Sequence, residues 1–147
     1  MNREQLEEMG PVDYVVLEWP DRQPKAEVAP MILDLVDRGI IRILDVAFII
    51  KDVDGEVAGV EVDALEDEAG KFREFHGASS GLLGDDDLQE AAAALQPGTS
   101  AAVLVWENRW AAPVAVALRR SGGELVATGR VPIQAIVASL DAAEAVV

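Results

Sequence analysis

The sequence contains no cysteine, and it has one histidine and one tyrosine among its 147 residues. Without cysteine, the chain forms no disulfide and offers no thiol nucleophile or thiolate metal ligand, and a single imidazole argues against a zinc enzyme. No window approaches the roughly 20 uncharged apolar residues that a membrane-spanning helix needs. We therefore expect no metal, no cofactor and no membrane insertion.

Basic residues are also scarce, with 12 Lys and Arg against 27 Asp and Glu, so the formal charge is −15. Such a charge repels nucleic-acid phosphates and anionic lipid headgroups, and we expect neither as a partner. Half of the residues are apolar, which excludes a disordered chain. The length predicts one folded domain over residues 11–147, after a flexible acidic segment at residues 1–10. That segment lacks an apolar signal core, so we expect a cytoplasmic protein.

The first half of the chain carries clear secondary-structure signals. A run of β-branched and aromatic residues at Val12–Trp19 predicts a strand, and Ile40–Lys51 predicts a second one. Between them, Ala26–Asp37 has a helical apolar period. The Asp54-Gly55 pair predicts a hairpin turn into a third strand at Glu56–Val62. A short helix is expected near residues 64–69.

The second half repeats a similar pattern. An alanine-rich segment predicts a helix over Leu88–Leu95, and Ser100–Trp106 reads as a strand. Ala112–Arg120 predicts a helix that ends before a glycine pair. Glu124–Val131 is expected to form another strand. A final helix is indicated by apolar residues at helical spacing, namely Ile133, Ile136, Val137 and Leu140.

The two halves suggest a ferredoxin-like α+β sandwich built from two tandem βαβ units. We expect a mostly antiparallel sheet with helices on one face, together with the extra hairpin and a connecting helix. The mean hydropathy is +0.17 despite the high charge. Since an apolar sheet face is rarely left in water, the pattern favours a homo-oligomer that covers this face or pairs an edge strand.

A glycine-rich loop at Gly77–Asp87 is the most distinctive segment. Its backbone N–H groups could cradle an anion, but the three aspartates that follow would repel phosphate, and no P-loop lysine is present. The alternative is that the glycines make tight turns while Asp86 or Asp87 caps the next helix. The candidate binding residues of this loop are Gly77, Ser79, Ser80, Gly81 and Gly84.

The segment Trp106–Trp110 places two indoles, a carboxylate and a guanidinium at the end of a strand. Three interpretations stay open: a core Trp106 with Asn108 as a helix cap, a protein interface, or a site that stacks a planar ligand. The residues of this candidate binding or interface site are Trp106, Glu107, Asn108, Arg109 and Trp110. Trp19 and the single His76 are added as possible lining residues of a pocket, and no catalytic residue is assigned.

Four segments together resemble an actinobacterial family of small proteins of unknown function: Gly10–Tyr14, Leu35–Asp45, Gly77–Asp87 and Glu107–Trp110. The resemblance runs from about Gly10 to Leu140. The second half also resembles a broader family, some members of which are described as stress-related. The resemblance implies no activity, cofactor or catalytic residue.

These observations favour a non-enzymatic, self-associating module that functions in assembly or in binding a partner, and the resemblance implies a relation to stress. A first alternative is a ligand binder or enzyme with a pocket between the sheet and the helices of a ferredoxin-like dimer. A second alternative is an acidic anti-regulator of a basic protein, whose binding would weaken with salt.

Overall fold

The computed structural model describes residues 2–25, 27–60, 75 and 80–145. Five α-helices and four strands lie within these ranges. In chain order they are α1 (Arg3–Glu7), β1 (Val12–Trp19), α2 (Val28–Asp37), β2 (Ile41–Lys51), β3 (Val57–Val60), α3 (Asp85–Ala93), β4 (Thr99–Asn108), α4 (Ala112–Arg120) and α5 (Ile133–Ala145). A 3₁₀ turn at Arg109–Ala111 joins β4 to α4. The helix expected near residues 64–69 lies outside the described ranges.

The four strands form one antiparallel sheet in the order β1-β4-β2-β3. Because β1 and β2 are both antiparallel to β4, they run parallel to each other with β4 between them. The α+β class and the antiparallel sheet are thus confirmed. The hairpin is confirmed as well, since β2 pairs with β3 and Gly55 takes a positive φ in the turn.

The second βαβ unit is built from other segments than the sequence predicted. It consists of β3, α3 and β4, so the hairpin and the connecting helix belong to the central fold. The expected strand at Glu124–Val131 is wrong, because these residues form no regular secondary structure. Strand propensity is realised only against a partner strand, and this segment pairs with none of the four described strands.

The expectation of helices on one face is also wrong. On one side of the sheet, Ala29 of α2 packs in a core with Phe48 and Leu104. On the other side, Ala91 of α3 packs in a second core with Ile49 and Val103. Since neighbouring residues of a strand point to opposite faces, the two helices cover opposite faces of the sheet. The central strand β4 is accordingly buried along nearly its whole length.

The described chain clusters into two compact units, Met1–Ala117 and Leu118–Val147. The sheet, both cores and the first three helices belong to the first unit. The second unit contains α5 and the irregular segment before it. Near the N-terminus, α1 occupies part of the segment expected to be flexible, and Asn2 caps it by accepting a hydrogen bond from the Gln5 backbone N–H.

Candidate functional site

The Trp106–Trp110 segment is organised around the Asn108 side chain. Its Oδ1 accepts hydrogen bonds from the indole N–H of Trp106 at 3.2 Å and of Trp110 at 3.3 Å. Its Nδ2 donates to the Pro11 carbonyl and to the Asp13 carboxylate. The expected helix-capping role is wrong, because this side chain makes no cap hydrogen bond. Asn108 instead links both indoles to the start of β1.

The two tryptophans differ in burial. Trp106 is half-buried against the α2-side core, where Trp19 also packs. Trp110, by contrast, is 68% exposed. The neighbouring Arg109 is exposed too. Of this segment, Trp110 and Arg109 therefore present the accessible surface.

Glu107 is a buried structural carboxylate. Its Oε1 accepts a hydrogen bond from Arg42 Nε at 2.9 Å, and its Oε2 accepts one from the Gly10 backbone N–H at 2.8 Å. The carboxylate is 7% exposed. A buried carboxylate paired in this way joins the start of β1 to β2 and β4, and breaking the pair would leave an uncompensated charge.

The glycine loop donates to a carboxylate of the protein itself. Asp45, which is 2% exposed, accepts the backbone N–H groups of Ser80 at 2.9 Å and Leu83 at 2.6 Å. The Ser80 hydroxyl adds a bond to the Leu44 carbonyl. Asp45 follows a β-bulge in β2, which turns its side chain to the α3 side opposite Val105. The backbone N–H groups of Ser80 and Leu83 are therefore engaged by Asp45.

The last residues of the loop lead directly into α3. Gly81 takes a positive φ of 79°, which favours glycine. The helix begins at Asp85 with Gly84 at the N-cap, so the expected cap at Asp86 or Asp87 is wrong. Asp87 lies inside the first turn, where its carboxylate accepts the Gly84 backbone N–H at 2.9 Å. The other candidates of this region, His76, Gly77 and Ser79, lie outside the described residues.

A cleft opens beside this loop, between the sheet and α3. Its volume is about 430 Å³, within the range of small-molecule sites. Tyr14 and Val105 form the floor from paired positions on β1 and β4. The walls come from the loop and from α3, and the lining residues are Tyr14, Leu82, Leu83, Asp87, Glu90 and Val105. We call this feature the Tyr14 cleft. Trp19, Trp106 and Arg109 do not line it.

The Tyr14 phenol reports the electrostatics of the cleft. Partial burial raises its pKa above the ordinary value, and the negative charges of Glu90 and Asp87 raise it further because they oppose a phenolate. The cleft therefore combines an apolar floor with a negative field.

Sequence reasoning missed this cleft, although one signal was available. Asp45 interrupts a strongly apolar strand, and a carboxylate in such a run must find buried hydrogen-bond donors. That donor requirement points to a nearby loop. By contrast, the distance between Tyr14 and Glu90 follows only from strand order and helix placement.

The second unit presents a different surface. None of the residues of α5 is buried. The large apolar side chains described in this unit are exposed, namely Leu118, Leu125, Val126, Val131, Ile133, Ile136, Val137 and Leu140. The segment Leu118–Val147 contains three arginines and three acidic residues and so carries no net charge, which leaves the formal −15 on the first unit.

No helix in the described part of the chain combines the length and apolar character needed to cross a membrane. Within the same residues, no group of three or more histidine and acidic side chains comes together as a metal site.

A family described as "Family of unknown function (DUF6325)" matches residues 8–147. No curated protein and no solved structure matches the chain.

Proposed function

Because the chain belongs to the DUF6325 family, whose function is unknown, we propose from its geometry that it is a non-enzymatic module that self-associates. The second copy binds the apolar surface of the second unit. The alternative is a module that binds a basic protein through the acidic first unit.

The observation that carries this proposal is an exposed apolar surface without net charge. Two copies of a chain with charge −15 repel each other, but Leu118–Val147 contributes nothing to that charge. A contact between two such segments therefore brings together the least repulsive part of each molecule. Several large apolar side chains exposed on one segment favour an interaction site there.

Four apolar side chains form a stripe along one side of α5, and their burial would supply part of the free energy that association requires. Ile133, Ile136, Val137 and Leu140 are 47% to 73% exposed. Completing their burial would contribute on the order of 3–7 kcal/mol per protomer. Association costs about 4–15 kcal/mol in lost freedom. The stripes of two protomers together contribute about 6–14 kcal/mol, which is comparable with this cost, and neighbouring apolar residues of the second unit would add to the stability of the assembly.

Trp110, which belongs to the first unit, is proposed as a separate contact residue of the assembly. Its indole is mostly exposed, yet its N–H bond to Asn108 holds the ring in one orientation. Tryptophan is enriched among residues that dominate interface energies, and a ring already held in place loses less entropy on binding. We expect Trp110→Ala to weaken assembly without changing the fold. If this variant assembles as the natural chain does, Trp110 is not an anchor.

A matched pair of variants on α5 tests the main surface. Leu140→Glu adds a carboxylate to the apolar stripe, whereas Ala142→Glu adds the same charge on the opposite side of the helix. Both positions are exposed, so neither change disturbs a core. In sedimentation velocity we expect Leu140→Glu to shift the protein to monomer and Ala142→Glu to leave assembly intact. Equal behaviour of the two variants would contradict the proposed surface.

A basic protein partner is the competing function, favoured by the concentration of acidic residues in the first unit. Salt distinguishes the two functions. Attraction between opposite charges weakens as the Debye length falls from about 10 Å at 0.1 M salt to about 3 Å at 1 M. Self-association through a neutral apolar surface instead strengthens, because salt screens the repulsion between the acidic first units.

A further inference from the structure

We propose that the Tyr14 cleft binds a small organic cation with an apolar body, such as a quaternary ammonium compound. None of the residues that line it is among those proposed for assembly.

The shape and the lining of the cleft fit an amphiphilic ligand. Leu82, Leu83 and Val105 offer contact to a ligand's hydrocarbon part, and the volume of about 430 Å³ suits a small molecule. Ligand sites commonly combine mostly apolar walls with a few polar groups that fix orientation.

The charged groups of the cleft have one sign. Asp87 and Glu90 lie three residues apart on α3, so their side chains share one side of the helix. Asp87 uses Oδ2 for the Gly84 N–H, and Oδ1 is not part of that bond. The lining residues include no lysine or arginine that would neutralise them. An anion would be repelled here, and a neutral ligand would leave both carboxylates without a counter-charge.

The helix dipole opposes a cation only weakly. The N-terminus of a helix carries about half a positive elementary charge. Two carboxylates line the cleft, and Asp85 and Asp86 add further negative charge in the same turn. The net field in the cleft is therefore negative; burial is the main cause of the raised pKa of Tyr14, and the charges of Glu90 and Asp87 add to it.

The aromatic ring of Tyr14 adds selectivity for quaternary ammonium. A cation over the face of an aromatic ring gains about 0.5–1 kcal/mol at an exposed site. Tyr14 is half-exposed on the edge strand β1, so a ligand can reach its ring.

Partly buried hydrogen bonds hold the wall of the cleft at both ends. Before the start of α3, Asp45 accepts the backbone N–H groups of Ser80 and Leu83. At the other end of α3, the Lys51 ammonium donates to the Ala92 and Leu95 carbonyls. A wall fixed at both ends needs little reorganisation on binding, and preorganisation favours affinity.

The single tyrosine provides a direct probe. The full-length protein is labelled with 3-fluorotyrosine, which gives one fluorine NMR signal from position 14. Choline is titrated against it, and 3,3-dimethylbutan-1-ol serves as the neutral ligand of the same shape. We expect a saturable shift with choline and an affinity for it at least about fivefold higher than for the alcohol, given one cation–π contact and two carboxylates.

Two exposed acidic residues of α3 form a matched pair of variants. Glu90→Gln removes a lining charge, whereas Asp86→Asn removes one outside the lining. We expect a loss of choline affinity of about threefold or more for Glu90→Gln and less than half of that loss for Asp86→Asn. Equal affinity for choline and the alcohol, or equal losses in the two variants, would overturn the proposal. Neither result depends on whether the chain self-associates.

Discussion

Asp45 shows how one side chain determines the local structure around the cleft. Its carboxylate accepts three backbone N–H groups, from Val46, Ser80 and Leu83, at 2.6–2.9 Å. A buried carboxylate needs such donors, and the loop amides gain an acceptor that water cannot easily replace. The position of the 80–84 segment therefore depends on a residue about 40 positions earlier in the chain.

We predict that Asp45→Asn destabilises the protein by about 1–3 kcal/mol, because an amide oxygen replaces a charged acceptor and its NH₂ group faces N–H donors. Denaturant unfolding gives the free energy, and hydrogen exchange at Ser80 and Leu83 should become faster. Asp54→Asn, in the exposed hairpin turn, is the control and should change the stability by less than about 0.5 kcal/mol. Similar stabilities of the two variants would contradict this role of Asp45.

Asn108 is the acceptor shared by two indoles, and we predict that Asn108→Ala lowers the free energy of unfolding by about 1–3 kcal/mol. Trp110 would lose its orienting bond, which should alter the tryptophan emission spectrum of the native state. The only other asparagine with a described side-chain bond, Asn2, caps the exposed helix α1. Asn2→Ala should leave both the emission and the global stability nearly unchanged, and a native spectrum in Asn108→Ala would contradict the shared-acceptor geometry.

Tyr14 gives a pH-dependent prediction. Burial and the neighbouring carboxylates raise the pKa of its phenol above the ordinary value of 10.0. Above pH 10 the unfolded state loses its proton first, so the native state binds more protons and the stability contributed by this group falls as the pH rises. Because the chain has one tyrosine, the change in near-ultraviolet absorbance on phenol ionisation follows this group alone. The titration should shift down in Glu90→Gln, and an unchanged titration would show that Glu90 does not act on the phenol.

The candidate site was predictable in part from the residues. The sequence indicated Trp106–Trp110 and the glycine loop, and the structure describes most of these residues on one sheet and its adjoining loop. Their roles were harder to predict, since Asn108 pairs with side chains two residues away on either side and Glu107 pairs with Arg42 across the sheet. Cross-strand partners depend on register, which local pattern does not specify.

At the scale of elements, local signals gave most boundaries. The strand Val12–Trp19 and the helix Ala112–Arg120 were predicted at their observed bounds, because proline and glycine mark their ends. The helix α3 begins three residues before the predicted start, since its first turn consists of aspartates that look like loop residues. Glu124–Val131 looked like a strand in composition but has no pairing partner among the described strands.

A substitution of Gly10 tests the close packing at the start of β1. A Cβ added to Gly10 would overlap the Asn108 carbonyl oxygen, a backbone atom that cannot move aside alone. We predict that Gly10→Ala destabilises the protein by about 1–3 kcal/mol. Gly59→Ala is the control, because nothing lies within 4 Å of the added Cβ and the residue sits in the exposed strand β3. Thermal unfolding of both variants measures the difference, and equal melting temperatures would contradict the predicted overlap.

At the scale of the molecule, composition alone does not show where the exposed apolar residues lie. The sequence predicted an exposed apolar sheet face, whereas α2 and α3 cover opposite faces of the sheet. The apolar surplus is instead exposed on the second unit. Composition predicted the surplus, but its location follows from which helix packs on which face. Cytoplasmic location and a link to stress stay predictions.

Sedimentation equilibrium of the natural chain over a range of salt concentrations tests the central proposal most directly. Self-association through the uncharged second unit predicts a mass that is a small multiple of 15.7 kDa and an association constant that rises with salt. A mass of one chain at every protein and salt concentration would contradict the account.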